Sequence, residues 1–326
     1  MLNQKSLMED INKILAISIP TYNRAGILSE NLAIIIEECL FNNVPIYIFD
    51  DSSNDDTKNI VEIFKKKYSY IFYTKNKNRL GHDLNCIKSL STPQQDYIWY
   101  LGDSMLIYKN SIGRILSIIQ SENSDFISFK EKNRRVDISS KNYHRAKNIF
   151  VDLAWHLTMT GTTVYRRSSL RFENFDIRKF KNFPQLALIF NSFIDNESKL
   201  YWFSESLIYG NLSKKSYWTN NVFEVFFTDL ESAYSNFPQN FPQNLIDDSV
   251  KSHSIKSKLF GYHSFVKMRI NDVLNYKIYC SLKGSFTKYT GINNCLLIIL
   301  SIFPKRFLKL LYILLRFFVP EKKQIL

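Results

Sequence analysis

Apolar residues crowd two short segments near the start of the chain, Ile-Leu-Ala-Ile-Ser-Ile-Pro-Thr at 14–21 and Pro-Ile-Tyr-Ile-Phe-Asp-Asp at 45–51. Between them Leu28, Leu32, Ile35 and Cys39 recur at helical spacing. That pattern predicts a strand, a helix and a second strand. The rhythm continues with a helix over 58–67, a strand over 70–74, a short helix over 83–90, a strand over 96–101, a helix over 111–120 and a strand over 125–130. Strands alternating with helices in this way predict an α/β fold, a mixed, mostly parallel sheet with helices on both faces.

Beyond this the pattern loosens. Residues 131–147 are polar and basic and read as a loop; 149–159 reads as an amphipathic helix, 161–167 as a strand, 184–193 as a helix and 199–209 as a last strand. The tandem Asn-Phe-Pro-Gln-Asn-Phe-Pro-Gln-Asn of 236–244 places two prolines four residues apart, which opposes helix and predicts a linker. Helical periodicity resumes over 245–276. The expected organisation is therefore a first half over 1–130, a second half over 131–235, a linker over 236–244 and a helical C-terminal region over 245–326.

The C-terminal pattern differs from that of an ordinary surface helix. Residues 295–303 are strongly apolar but about half the length of a membrane span, Pro304 interrupts, and 305–319 resumes. On a helix, Lys305, Lys309, Tyr312 and Arg316 share one narrow face, with Phe307, Leu310, Leu314 and Phe318 opposite. A helix packed on the domain with its cations in water is the plain structural reading. Leu308, Leu311, Ile313, Leu315 and Phe317 widen the apolar arc, which favours a membrane-associating helix lying in the interface, its basic edge toward water. Two adjacent short segments are also compatible with a re-entrant hairpin.

Charge sharpens this reading. Of the net +13, almost all lies from Lys251 onward, where 14 Lys/Arg face only Asp272 and Glu321. Such a tail calls for a polyanionic partner, an anionic membrane surface or a nucleic acid. The tail is too apolar for the second, and no module interleaves basic residues with exposed aromatics, so no nucleic acid is expected. Cys39, Cys86, Cys280 and Cys295 lack metal-ligand spacing and fit a reduced, cytoplasmic setting. The N-terminal ten residues are too polar for a signal peptide.

Candidate chemistry gathers where the first two strands end, because ligands of open α/β sheets bind beyond the carboxyl ends of the strands. Thr21, Tyr22 and Asn23 follow one strand, Asp50 and Asp51 the other; Asp55, Asp56 and Thr57 are better placed to start the next helix. Four blocks in order, Ser-Ile-Pro-Thr-Tyr-Asn-Arg (18–24), Asp-Asp-Ser-Ser-Asn-Asp-Asp-Thr (50–57), Asn-Arg-Leu-Gly-His-Asp-Leu-Asn (78–85) and Tyr-Ile-Trp-Tyr-Leu-Gly-Asp-Ser (97–104), resemble the nucleotide-sugar-binding start of family 2 glycosyltransferases with the GT-A fold. The resemblance is close over the first third of the chain and loose over the second. It implies a nucleotide-sugar half over 1–130 and an acceptor half over 131–235.

The resemblance also implies roles. Asp51, with Asp50 beside it, would accept hydrogen bonds from the nucleoside, and Pro20, Thr21 and Tyr22 would contact the same group. Arg79 would meet the base or the phosphates, or stand as a solvated loop arginine. Asp83 is a substrate-binding candidate or a helix-starting acid, and Asn85 matches the family's recurrent asparagine. The family's Asp-x-Asp, which binds a divalent metal through the diphosphate, reads Gly102-Asp103-Ser104-Met105 here. One carboxylate leaves two roles open for Asp103: a ligand of Mg²⁺ or Mn²⁺ completed by phosphate and water, or a ribose contact, with Lys or Arg neutralising the diphosphate. The family's Glu-Asp pair, whose Asp is the base, falls at Pro184-Gln185, so no base is assigned; His156 in its apolar helix reads as structural. The implied function is inverting sugar transfer from a nucleotide sugar, UDP-linked above others, to a lipid-linked or other membrane-held glycan at the cytoplasmic face of a bacterial plasma membrane, in capsule, O-antigen or similar polysaccharide synthesis. The competing class is a nucleotide-sugar-binding or scaffolding protein that has lost catalysis.

Overall fold

The computed structural model describes residues 12–318 except 174, 196 and 212–215, with side chains up to Leu314 at the C-terminal end. Two compact units emerge among the described residues, 12–211 with Phe237–Gln239, and 216–236 with 240–318. The first unit contains nine strands: β1 (Leu15–Thr21), β2 (Ile46–Asp50), β3 (Ile71–Lys75), β4 (Tyr97–Tyr100), β5 (Met105–Ile107), β6 (Phe126–Glu131), β7 (Lys141–Tyr143), β8 (Thr163–Arg166) and β9 (Leu200–Gly210). Its helices are α1 (Ala25–Leu40), α2 (Thr57–Lys65), α3 (His82–Ser91), α4 (Ser111–Glu122), α5 (Ala146–Leu157) and α6 (Pro184–Ser192).

All nine strands form one sheet in the order β3-β2-β1-β4-β8-β6-β9-β5, with β7 also paired to β9. β1 to β4 are mutually parallel. β8 opposes both β4 and β6, and β9 runs parallel to β6, so β6 and β9 share the direction of the first four strands. β5, β7 and β8 run the other way. The sheet is thus mixed and mostly parallel. Alternation along β1 covers both faces. Leu15, Ile17 and Ile19 join Leu28, Leu32 and Ile35 of α1 in the core, whereas Ser18 points to the other face and donates to the Ser89 carbonyl of α3 at 2.7 Å.

Two strands were illegible in the hydrophobic pattern. β5 has only three residues, and β7 is a three-residue strand of polar character within the expected 131–147 loop. Both pair with β9, which is long enough to recruit them.

The second unit contains a π-helical turn (Glu224–Asp229) leading into α7 (Leu230–Ser235), then α8 (Gln243–Lys256), α9 (Tyr262–Ile270), α10 (Tyr276–Tyr289), α11 (Asn294–Ile302) and α12 (Lys305–Phe318). Its core is aromatic: Phe223 lies 5.1 Å from Phe286 and Phe227 4.7 Å from Phe260, ring centre to ring centre. Residues 216–235, expected in the second half of the sheet domain, pack here instead. The prolines of 236–244 do separate α7 from α8, but the segment is no free tether: Phe237 is buried and stacks on Phe190 at 4.3 Å within the first unit.

α12 carries a reversal of expectation. Its Lys305 pairs with Asp272 at 2.6 Å and its Tyr312 hydroxyl lies 3.3 Å from His263 Nε2 of α9. The edge read as waterward therefore rests against its own unit. Phe307, Leu310, Leu311, Ile313 and Leu314 are exposed, Phe307 by 65%. Arg316 and Phe318 lie outside the described side chains. Among the described residues no helix is long and apolar enough to cross a membrane.

Candidate active site

The parallel order places a switch point between β1 and β4, since the chain runs from β1 through β2 to β3 on one side and resumes on the other. Crevices at such points hold ligands. β4 stays paired only to Ser18, so its backbone leaves β1 before Pro20, which lacks an N–H to offer a neighbour. Thr21 then meets the segment after β4: its hydroxyl donates to Asp103 Oδ2 at 3.1 Å. Asp103 is buried, and its other oxygen is 2.8 Å from the guanidinium of Arg24, the residue that caps α1. Asn31 of α1 donates to the Asp103 and Met105 carbonyls, fixing the loop from below.

The loop after β2 is held differently. Asp50 is fully buried and accepts from the Ser53 amide at 2.7 Å and from the Tyr73 hydroxyl. Asp51 accepts from three donors: the Leu80 amide at 2.6 Å, the Gly81 amide at 2.9 Å and the Asn76 side chain at 3.0 Å. Asn76 also donates to Asn85, whose own amide donates to the Phe49 carbonyl at 3.0 Å. Asp51 and Asn85 thereby clamp the 76–81 loop and the start of α3 onto the end of β2. Gly81 adopts φ +85 at that clamp, a conformation that resists a side chain. The clamp delivers Arg79, whose guanidinium lies 4.2 Å from the Tyr22 ring centre. Asn23 ties the first loop to the second, its amide donating to Ser53 and its side chain accepting from the Asn54 amide.

α3 also reaches the second part of the sheet domain. Asp83 accepts the Asn182 amide on both oxygens at 3.1 Å and lies 2.7 Å from His82 Nδ1. A carboxylate cannot donate, so Nδ1 carries the proton and the lone pair of the ring sits on Nε2. Asn182 precedes Phe183, Pro184 and Gln185. Gln185 is buried in α6; its side-chain oxygen finds no partner among the described residues. His156 is likewise buried, one nitrogen 3.0 Å from the Phe129 carbonyl, and burial together with Arg134 pushes it down to about 3. It stays neutral and serves the core.

The sequence model of the family described as Glycosyl transferase family 2 matches residues 16–182, half of the chain. The chain belongs to that family. Its family 2 relatives include an abequosyltransferase of Salmonella typhimurium, RfbV, 28% identical over 41% of this chain and 40% of its own length. A second is the GalNAc(5)-diNAcBac-PP-undecaprenol beta-1,3-glucosyltransferase of Campylobacter jejuni, 24% identical over 65% of this chain and 64% of its own. The chain thus spans less than two thirds of these relatives. TarS 1–349 of S. aureus, solved with UDP-GlcNAc, superposes with a TM-score of 0.53 over 92% of each chain at 15% identity. PcManGT, a mannosyltransferase of Pyrobaculum calidifontis solved with GDP-Man and Mn²⁺, gives the same score over 92% of each chain at 12% identity. These likenesses establish the GT-A-like fold.

The site residues expected from the family 2 motifs divide into two groups. Thr21, Tyr22, Arg79 and Asp103 converge at the strand-end crevice; Asp50, Asp51 and Asn85 brace its walls. Arg24, His82 and Asn76 were missed, although the first two stood inside the quoted motifs. A resident divalent-metal site does not fit this donor set. Among the described residues no three acidic, histidine or cysteine side chains gather, and the one carboxylate at the family position is paired with a cation.

Proposed function

We propose that the chain transfers a sugar, with inversion, from a nucleoside diphosphate donor to a glycan acceptor held at a membrane surface. The observation that carries this is the strand-end crevice itself, where Tyr22 and Arg79 face each other across 4.2 Å of open loop and Asp103 stands at the floor. The arginine–tyrosine pair suits an aromatic base and its phosphates, and Asp103 suits ribose hydroxyls. Solved neighbours holding UDP-GlcNAc, UDP and GDP-Man support a nucleotide sugar, the uridine form first.

In the transfer the acceptor oxygen forms a bond to the anomeric carbon as the bond from that carbon to the diphosphate breaks. The nucleoside diphosphate leaves with the electron pair, and the acceptor proton must go to a base. We assign that base to His82 Nε2, with Asp83 orienting the ring from the other side. The pair is a quarter exposed and Asp83 contacts the turn leading to Pro184-Gln185, where the family's own base is missing.

The acceptor is read from two sources. The Campylobacter relative is named for an undecaprenol-linked substrate, and the outward apolar face of α12 suits an anionic lipid surface, with the donor site on the cytoplasmic side and a place in surface-polysaccharide synthesis. A competing reading, a binding or scaffolding protein, draws on the lone Asp103 and on Gln185. A panel of UDP-, GDP- and dTDP-sugars scored by thermal shift, followed by transfer and hydrolysis assays, separates them. Donor binding with turnover supports the enzyme, donor binding without turnover supports the scaffold, and no binding sinks both.

A further inference from the structure

Sugar transfer from a nucleoside diphosphate leaves the diphosphate with one more negative charge than it had in the donor, and something at the strand-end crevice must compensate it. The sequence motif at the end of β4 offers Gly102-Asp103-Ser104-Met105. Two neutral side chains follow the single acid, and that acid is already neutralised by Arg24 at 2.8 Å. A divalent cation coming to Asp103 would meet a guanidinium there, a like charge. The same guanidinium is what an arriving diphosphate seeks. It is planar, permanently charged and able to bond two phosphate oxygens side by side.

We propose that Arg24 holds the diphosphate of the donor and compensates the departing charge, so that the chain binds nucleoside diphosphate without a divalent metal. The proposal rests on the nucleotide-sugar reading above. Three features place Arg24 for this work. It follows the Thr21-Tyr22-Asn23 loop at the carboxyl end of β1, the same loop that carries the Tyr22 partner of Arg79. It precedes the first turn of α1, a 16-residue helix whose amino end adds partial positive charge on the same side. Its side chain keeps 22% exposure against 7% for Asp103, so the cation stands on the solvent side of the pair. Asp103 then acts as a positioning residue for Arg24 as well as a ribose contact. Thr21, donating to the other carboxylate oxygen, holds Asp103 in turn.

The test is calorimetric binding of UDP and uridine to the full chain, in excess EDTA and with Mn²⁺. UDP is expected to bind wild type within about threefold of the same affinity in both conditions. Arg24→Gln is expected to lose about 10- to 100-fold in UDP affinity, the range for a hydrogen bond to a charged group, while binding uridine as wild type does. Arg24→Lys keeps the charge and is expected to recover most of the loss. Met105→Asp, which restores a second acid, is expected to make UDP binding respond to Mn²⁺. Tenfold or greater tightening of wild-type UDP binding by Mn²⁺ overturns the proposal. So does unchanged UDP binding in Arg24→Gln, or a parallel loss of uridine, which marks a purely structural role. Failure of wild type to bind UDP, GDP and uridine under either condition instead overturns the nucleotide reading on which the proposal stands.

Discussion

At the scale of single residues, motif and role part company at Asp51. The strand-end position read as a nucleoside contact is a clamp whose carboxylate accepts two backbone amides and a side-chain amide. Buried amides left without an acceptor cost about 1–3 kcal/mol each, so Asp51→Ala should lower the melting temperature as well as donor affinity. Loss of donor affinity with an unchanged melting temperature would return Asp51 to a pure ligand contact. His156 makes a second residue-scale prediction. Its folded value of about 3 lies below the 6.5 of the unfolded chain, so the unfolded chain takes up the proton first. Stability is therefore undiminished above pH 6.5 and falls as pH drops below it, by at most about 1.4 kcal/mol per pH unit. Denaturant unfolding at pH 7.5 and 5.5 should show this slope, and His156→Gln should flatten it. An unaltered slope in the variant would assign the acid sensitivity to other groups. Why the motif could place these residues but not divide them follows from geometry: Asp50, Asp51 and Asn85 are all acceptors or amides near strand ends, and only the fold shows which ones turn inward.

At the scale of elements, the long apolar strands and amphipathic helices of the first unit were legible because burial dictates their period. β1 to β4 with α1 to α3 lie within a few residues of the pattern read from sequence. β5 and β7 were not legible, since three residues carry no period and their pairing partner β9 lies far along the chain. The start of α3 concentrates the remaining chemistry. Gly81 enters the Asp51 clamp, His82 and Asp83 form a pair, and Asp83 fastens the Asn182 turn. If His82 is the base, His82→Gln should reduce kcat by about 10²- to 10⁴-fold, the usual worth of a general base, while UDP affinity holds. The acidic limb of the pH–rate profile should vanish with it. Asp83→Asn should retain part of the activity, because the ring keeps its nitrogen but loses its orienting acceptor. Wild-type kcat in His82→Gln would remove the pair from the chemistry and leave it as a helix-to-turn fastener.

For the whole molecule, the sheet unit supplies the donor crevice, and the question is what brings it an acceptor carried in lipid. The tail's hydrophobic pattern forecast an interfacial helix but gave it the wrong sidedness for its cations. Lys305 is occupied by Asp272, and Tyr312 faces His263, so α12 meets its own unit with its polar edge and turns Phe307, Leu310 and Leu314 outward. A soluble partner-free helix would be arranged the other way round, since exposed aromatic and aliphatic side chains gain about 1.5–3 kcal/mol each on full burial. Apolar insertion should therefore matter more than charge. Phe307→Asp with Leu310→Asp should weaken binding to vesicles of anionic lipid by about a hundredfold, taking even the low end of that range for two side chains. Lys309→Gln with Arg306→Gln should weaken it less, by about 1 kcal/mol per residue, and only at low salt. Lys305→Gln should change it least, its charge being already compensated. All of these positions are exposed, so melting temperatures should stay near wild type and flotation reports the surface alone. Vesicle binding by the Phe307→Asp, Leu310→Asp protein equal to wild type would move the anchor off α12 and leave its apolar face to another occupant.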